Sequence, residues 1–150
     1  MSTSPAPERL GTRAEGGERR RSRERALGLC YEAETKGLVP AALLEELPVP
    51  PEQYAARLVT GVSRQLEAID RLISAHATGW SVARMPNVDR AILRLAVYEL
   101  VGEAEVPVAV VIDEAVELAK EYSTEDSGRY VNGVLAAVAV EVRPGREPAI

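Results

Sequence analysis

The chain has 150 residues, of which 46% are hydrophobic and 27% charged, with a net charge of −5. That balance suits one globular domain whose core needs no covalent staples. A lone cysteine, Cys30, makes no internal disulfide, and with the single histidine, His76, it furnishes no zinc site of the usual kind. No metal or cofactor is therefore expected. No apolar run approaches the roughly 18 residues of a membrane span, and the N-terminus is polar and charged instead of carrying a signal-peptide segment, so the expected location is the cytoplasm, away from membranes.

Aromatics are scarce, five tyrosines and Trp80 with no phenylalanine, which disfavours an aromatic sheet of the kind that stacks RNA bases. Charge is uneven. Residues 1–25 carry seven arginines against four glutamates, a net +3, and the rest carry −8. An acidic body with one basic tip would bind a polyanion locally.

Residues 1–18 mix Ser, Pro, Gly and charge with almost no apolar content and read as a disordered tail. From Arg19 to about Lys36, Ala26, Leu27, Cys30, Tyr31 and Ala33 recur at helical spacing, with Gly37 as the stop. Arg19, Arg20, Arg21 and Arg23 crowd the start of this helix, where the macrodipole disfavours cations. Helix formation does not explain them. They are either a solvated basic helix start or a site for RNA or another polyanion, and the spacing predicts that Arg19 and Arg23 project past the core. Cys30 in the apolar stripe reads as a buried thiol, and Tyr31 either caps the core or offers its ring to a partner.

Pro40–Leu47 predicts a short helix. A long one is predicted from about Pro51 to Ala77, with Tyr54, Leu58, Val62, Ile69, Leu72 and Ile73 on one face and His76 packed near its end. Trp80 reads as a wedge at the following corner, with base stacking as the alternative. The stretch 88–101 is apolar around most of a helical circumference and belongs at the centre of the molecule. Glu99 projects from an apolar face there and needs a donor from a neighbouring helix, water or an interface. A further helix spans about Pro107–Tyr122, its small Ala115 and Ala119 allowing close approach of a neighbour. Ser123-Thr124-Glu125-Asp126 has the form of an N-terminal cap opening the last helix. In that helix Asp126 and Tyr130 either close the core's rim or form a small surface suited to an unpaired base. Asn132-Gly133 reads as a close-packing pair, and Arg143-Pro144-Gly145 ends order, leaving 143–150 as a flexible tail. No Gly-rich phosphate loop and no Ser/His/Asp group emerges, so the chain does not read as an enzyme.

Several pieces carry a family resemblance. They are Arg19-Arg20-Arg21-Ser22-Arg23-Glu24 followed by Ala26 to Tyr31, then Val88 to Leu100, Val106-Pro107, Ile112 to Lys120, Glu125-Asp126-Ser127, and Tyr130-Val131-Asn132-Gly133-Val134-Leu135. In this order and spacing, over residues 19–142, they resemble the NusB family of bacterial transcription antitermination factors. The resemblance implies an all-α fold of about seven helices in two crossed three-helix bundles. It also implies binding of single-stranded boxA RNA with ribosomal protein NusE, within an antitermination complex that helps RNA polymerase pass terminators. By this resemblance Arg19, Arg20, Arg21, Arg23, Asp126 and Tyr130 are RNA-binding, and Tyr31 and Asp89 contact NusE. The alternatives are a helical protein–protein adaptor or homodimer, and the helical domain found at the front of some ribosomal RNA cytosine methyltransferases, for which the sequence has no room for a methyl-donor domain.

Overall fold

The structure is a computed structural model that describes residues 5–145, with side chains from Gly17 onward. It contains α1 (Pro5–Lys36), α2 (Pro40–Glu46), α3 (Gln53–Arg64), α4 (Leu66–His76), a 3-10 turn at Val82–Arg84, α5 (Asn87–Gly102), α6 (Val108–Tyr122) and α7 (Glu125–Val142). There is no strand among the described residues. Most of the two expected tails, 1–18 and 143–150, falls outside the residues whose side chains are described, but Arg143, expected to open the flexible C-terminal tail, is corrected to a buried residue that caps the end of α5. The helical path of α1 is carried back to Pro5, ahead of the apolar stripe from which its start at Arg19 was predicted.

The all-helical architecture is as the sequence predicts. α1, α2 and α3 pack on one another, α6 packs on α7, and α5 touches α1, α3, α4, α6 and α7. Its centrality follows from its sequence: Ala91, Ile92, Leu93, Leu95, Ala96, Val97 and Leu100 are all buried, so no side of it suits solvent. The close approach expected at Ala115 and Ala119 is present, both being buried where α6 meets its neighbours. Among the described residues no helix is long and apolar enough to cross a membrane.

Three local features depart from the sequence reading. The long helix is two, broken at Gln65, whose φ of −117° and ψ of 25° leave the helical region. Period and composition run straight through this point. What changes is the packing partner: the Ser63 hydroxyl accepts the Ala41 N–H at 2.7 Å and ties the end of α3 to α2, whereas His76 at the end of α4 faces Glu141 of α7 at 2.8 Å. In α7 the capping residue is Thr124, whose Oγ1 accepts the Ser127 N–H at 2.9 Å, and not Ser123. Gly133 has nothing within 4 Å of where a Cβ would stand, so it marks no close contact.

Both ends of α5 are fastened by arginines. Arg90 donates to the carbonyls of Val82 (2.9 Å) and Met85 (3.0 Å) and pairs with Glu34, joining the 3-10 turn to α1. At the other end the buried Arg143 donates to the carbonyls of Leu100, Val106, Glu99 and Glu103 at 2.5–3.0 Å. A cation there satisfies carbonyls that a helix C-terminus leaves open and meets the negative end of its dipole.

Candidate nucleic-acid interface

The four arginines of α1 occupy successive sides of one helical turn, and the structure gives them different tasks. Arg23 faces inward. It is 5% exposed and forks onto Glu99 of α5, Nε to Oε1 at 2.9 Å and Nη2 to Oε2 at 2.9 Å. Tyr54 of α3 donates its hydroxyl to the same carboxylate at 2.5 Å. Glu99 thus has the donors from neighbouring helices that its apolar surroundings require. Burial works against the Arg23 charge, but the hydrogen bonds and charge of Glu99 outweigh it and raise its proton affinity. Burial and the same carboxylate push the Tyr54 phenol far above its ordinary range. The prediction that Arg23 projects past the core is corrected: the apolar stripe continues through it, and its charge is met by a carboxylate on the facing helix.

Arg20 also holds a carboxylate, but at the surface. Its Nε and Nη2 donate to Glu114 of α6 at 3.1 and 2.8 Å, with the Arg20 side chain 60% exposed. Such a pair is worth at most about 1 kcal/mol and opens readily to a competing anion. Arg21 is exposed and has no ion pair among the described residues. The Arg19 guanidinium lies over the Tyr54 ring at 4.7 Å, its nearest anion being Glu105 at 3.9 Å. Arg19 and Arg21 line an open hollow of about 610 Å³ together with Glu18, Ser22, Glu52, Gln53, Tyr54 and Arg57.

A second hollow, of about 400 Å³, lies at the start of α7 and is lined by Thr78, Gly79, Trp80, Thr124, Asp126, Ser127 and Tyr130. Asp126 is exposed and pairs with Arg129. Tyr130 meets Trp80 edge to face, with centroids 5.3 Å apart and planes at 75°. Its hydroxyl is buried without a hydrogen-bond partner among the described residues, and burial raises its pKa. Trp80 keeps 41% of its surface exposed, so it rims this hollow and is not the buried wedge that the sequence suggested. No pattern in the sequence pairs Trp80 with Tyr130, because the contact joins a loop to a helix 50 residues later.

The residues expected to meet a protein partner divide in the same way. Tyr31 is 44% exposed on α1. Asp89 is fully buried in the first turn of α5, where its Oδ2 accepts the Ser127 hydroxyl at 2.7 Å. A carboxylate at that position is favoured by the positive end of the helix and holds the start of α7 against α5, so direct contact of Asp89 with a partner is corrected to a buried positioning role. Cys30 is the buried thiol expected, its pKa pushed up to about 12 by burial. No cluster among the described residues could hold a metal ion.

The two hollows adjoin opposite ends of α5. Arg23 reaches it at Glu99 and Ser127 at Asp89, ten residues or about 15 Å apart at 1.5 Å per residue. A basic hollow and an aromatic hollow therefore lie near opposite ends of α5.

The NusB family model matches residues 20–140. The transcription antitermination protein NusB of Saccharopolyspora erythraea is 48% identical over 130 residues, which cover 82% of this chain and 87% of that protein. Among solved structures, NusB of T. maritima superposes with a TM-score of 0.77 at 38% identity, covering 86% of this chain and 95% of that one. A chain from a complex of the antitermination factors NusB and NusE with double-stranded RNA superposes with a TM-score of 0.71 at 32% identity, covering 82% and 96%. With most of its length matched by the family model, and with the relatives' helical architecture, the chain belongs to the NusB family.

Proposed function

We propose that the protein is a transcription antitermination factor that binds the boxA element of ribosomal RNA transcripts together with ribosomal protein NusE, so that RNA polymerase reads through terminators. The observation that carries this reading is the division among the α1 arginines. Arg23 is spent on the fold, whereas Arg19 and Arg21 keep their donors for a ligand and Arg20 can trade Glu114 for a phosphate. Phosphate contacts of this kind position a chain without reading its sequence. Sequence preference would come from the second hollow, where Tyr130 and Trp80 offer ring surface and Asp126 accepts from a base edge. A partner on the exposed face of α1, at Tyr31, would add contacts to an otherwise small basic patch on an acidic body. Membership of a family with a member solved with NusE and RNA supports both partners.

The test is binding of a boxA single strand, a scrambled strand and a duplex, with and without NusE, across a salt series. Wild type is expected to prefer boxA and to bind it more tightly with NusE. Arg19→Ala/Arg21→Ala is expected to lower the salt slope by about 1.4, at about 0.7 per phosphate contact on a single strand. Weak binding that is indifferent to sequence, NusE and both arginines would move the function to a protein-binding adaptor.

A further inference from the structure

The hollow beside α1 is lined from a second element that the arginine motif does not include. Arg57 of α3 also lines it, with its guanidinium 5.6 Å from the Tyr54 ring and its Nη2 donating to the buried Glu103 carboxylate, while Arg19 stands 4.7 Å from the same ring. Three guanidinium groups stand within 6 Å of this ring; Arg23, at 5.9 Å, is spent on Glu99, and Arg19 and Arg57, which line the hollow, form a spaced pair of the kind that grips an oxyanion. The Glu105 carboxylate lies 3.9 Å from Nη2 of Arg19 and 3.9 Å from Nη2 of Arg57, beyond hydrogen-bond distance of both. Its own side chain is 59% exposed.

Glu105 is an exposed residue on a fixed stem. It sits in the turn between α5 and α6, where the Val106 N–H bonds to the Glu103 carbonyl at 3.0 Å. Glu103 and Val106 on either side are each 1% exposed, and Arg143 holds both of their carbonyls. The turn therefore carries the Glu105 carboxylate beside Arg19 and Arg57 on an anchored backbone. A hydrogen bond from its own backbone N–H, and after it the charges of Arg19 and Arg57, hold its pKa below the ordinary value.

We propose that Arg19, Arg21 and Arg57 around the Tyr54 ring form a phosphate-binding site, in which the Glu105 carboxylate stands in for the ligand until a phosphate displaces it. The site takes a phosphoryl oxyanion, either a backbone phosphate of RNA or an inorganic polyphosphate. As an account of RNA binding it rests on the function proposed above; as an anion site it does not. The built-in carboxylate has two effects. Together with Glu103, which pairs with Arg57, it offsets the mutual repulsion of the arginines when the site is empty of ligand, and it sets a threshold that weak anions do not pass. A single chloride or carboxylate gains nothing over Glu105, whereas adjacent phosphates on one chain also reach Arg21.

The experiment uses the full chain with two probes, tripolyphosphate by calorimetry and fluorescently labelled boxA single strand by anisotropy, at fixed salt. The variants are Glu105→Gln, Arg57→Gln, their double, and Glu52→Gln. Glu52 lines the same hollow without an ion pair among the described residues, so its substitution measures the general effect of removing one negative charge. Gln at position 57 can still donate to the buried Glu103, and thermal melts confirm that each variant is folded. Glu105→Gln is expected to tighten both probes by about threefold to tenfold, beyond the effect of Glu52→Gln, since close opposite charges act at short range. Arg57→Gln is expected to weaken both by a similar factor and to diminish the gain from Glu105→Gln, the remainder acting through Arg19. Equal effects of the two glutamates, or a gain from Glu105→Gln that is undiminished without Arg57, would overturn the site. Coupling with tripolyphosphate but no binding of RNA would retain the anion site and defeat the antitermination reading. RNA binding by wild type without coupling at positions 57 and 105 would do the reverse.

Discussion

At the scale of single residues, the informative contrast is between arginines that are neighbours in sequence and opposite in role. Arg23 and Glu99 are a buried pair, and such pairs are strongly destabilising to break because the survivor is left charged without a partner. Arg23→Ala is expected to lower unfolding free energy by about 3–5 kcal/mol, read from urea denaturation, whereas Arg21→Ala should leave the denaturation midpoint unchanged. A loss of RNA binding in an Arg23 variant would thus report unfolding and not a missing phosphate contact. The sequence shows that Glu99 must have a donor, since an apolar helix face cannot hold a bare carboxylate. It does not show which donor. The partner lies 76 residues earlier in a run of four arginines, and helical periodicity places Arg23 on the right face without saying how far the core extends along it. The partner contact of Asp89 was implied by the family resemblance alone; the residue itself, an acid in the first turn of a helix, suits solvent and a buried serine hydroxyl equally well until α7 is docked on it.

At the scale of elements, α3 and α5 are pressed together around one ring. Tyr98 of α5 lies against Gly61 of α3, where an added Cβ would meet the ring at 2.2 Å, and against Gly102, where it would meet it at 2.5 Å. The Tyr98 hydroxyl then reaches the buried Glu103 at 2.8 Å. Gly61→Ala favours the helix intrinsically by about 1 kcal/mol, but the ring cannot retreat without leaving Glu103. The expected net result is destabilisation by about 1–3 kcal/mol, as for overpacked cores, measured by thermal melts. Gly61 in the sequence is only a glycine inside a helix. The helices themselves were legible from apolar spacing, α5 most of all, because their burial depends on their own pattern. The break at Gln65 was not, because it arises from a change of packing partner and leaves no mark in composition.

For the whole molecule, pH offers a probe of how these tethers act together. Burial, then the hydrogen bond to Glu103, push the Tyr98 phenol up to about 12 from an ordinary value of 10, and Tyr54 moves further in the same direction. A group whose pKa rises on folding stabilises the fold fully below its unfolded pKa, and that contribution fades as pH climbs through the folded value. Stability should therefore be level across neutral pH and fall from about pH 10 upward. Ultraviolet titration of the five tyrosines should show Tyr54 and Tyr98 ionising only as the protein unfolds. Early ionisation of all five in a folded chain would show that the joint between α3 and α5 is open to water. Tyr54 and Tyr98 both answer to glutamates of the α5 terminus, so their titration reports that joint and not the surface.

Arg143 gives the molecule an order of completion. The chain is made from its N-terminus, and α5 is finished 41 residues before the guanidinium that receives its carbonyls. Until then the helix at the centre of the molecule has an unfinished end. The turn carrying Glu103 and Glu105 also lacks its anchor. The hollow lined by residues 18–57 is therefore synthesised well before Arg143, and the turn that holds Glu105 beside it is anchored only afterwards.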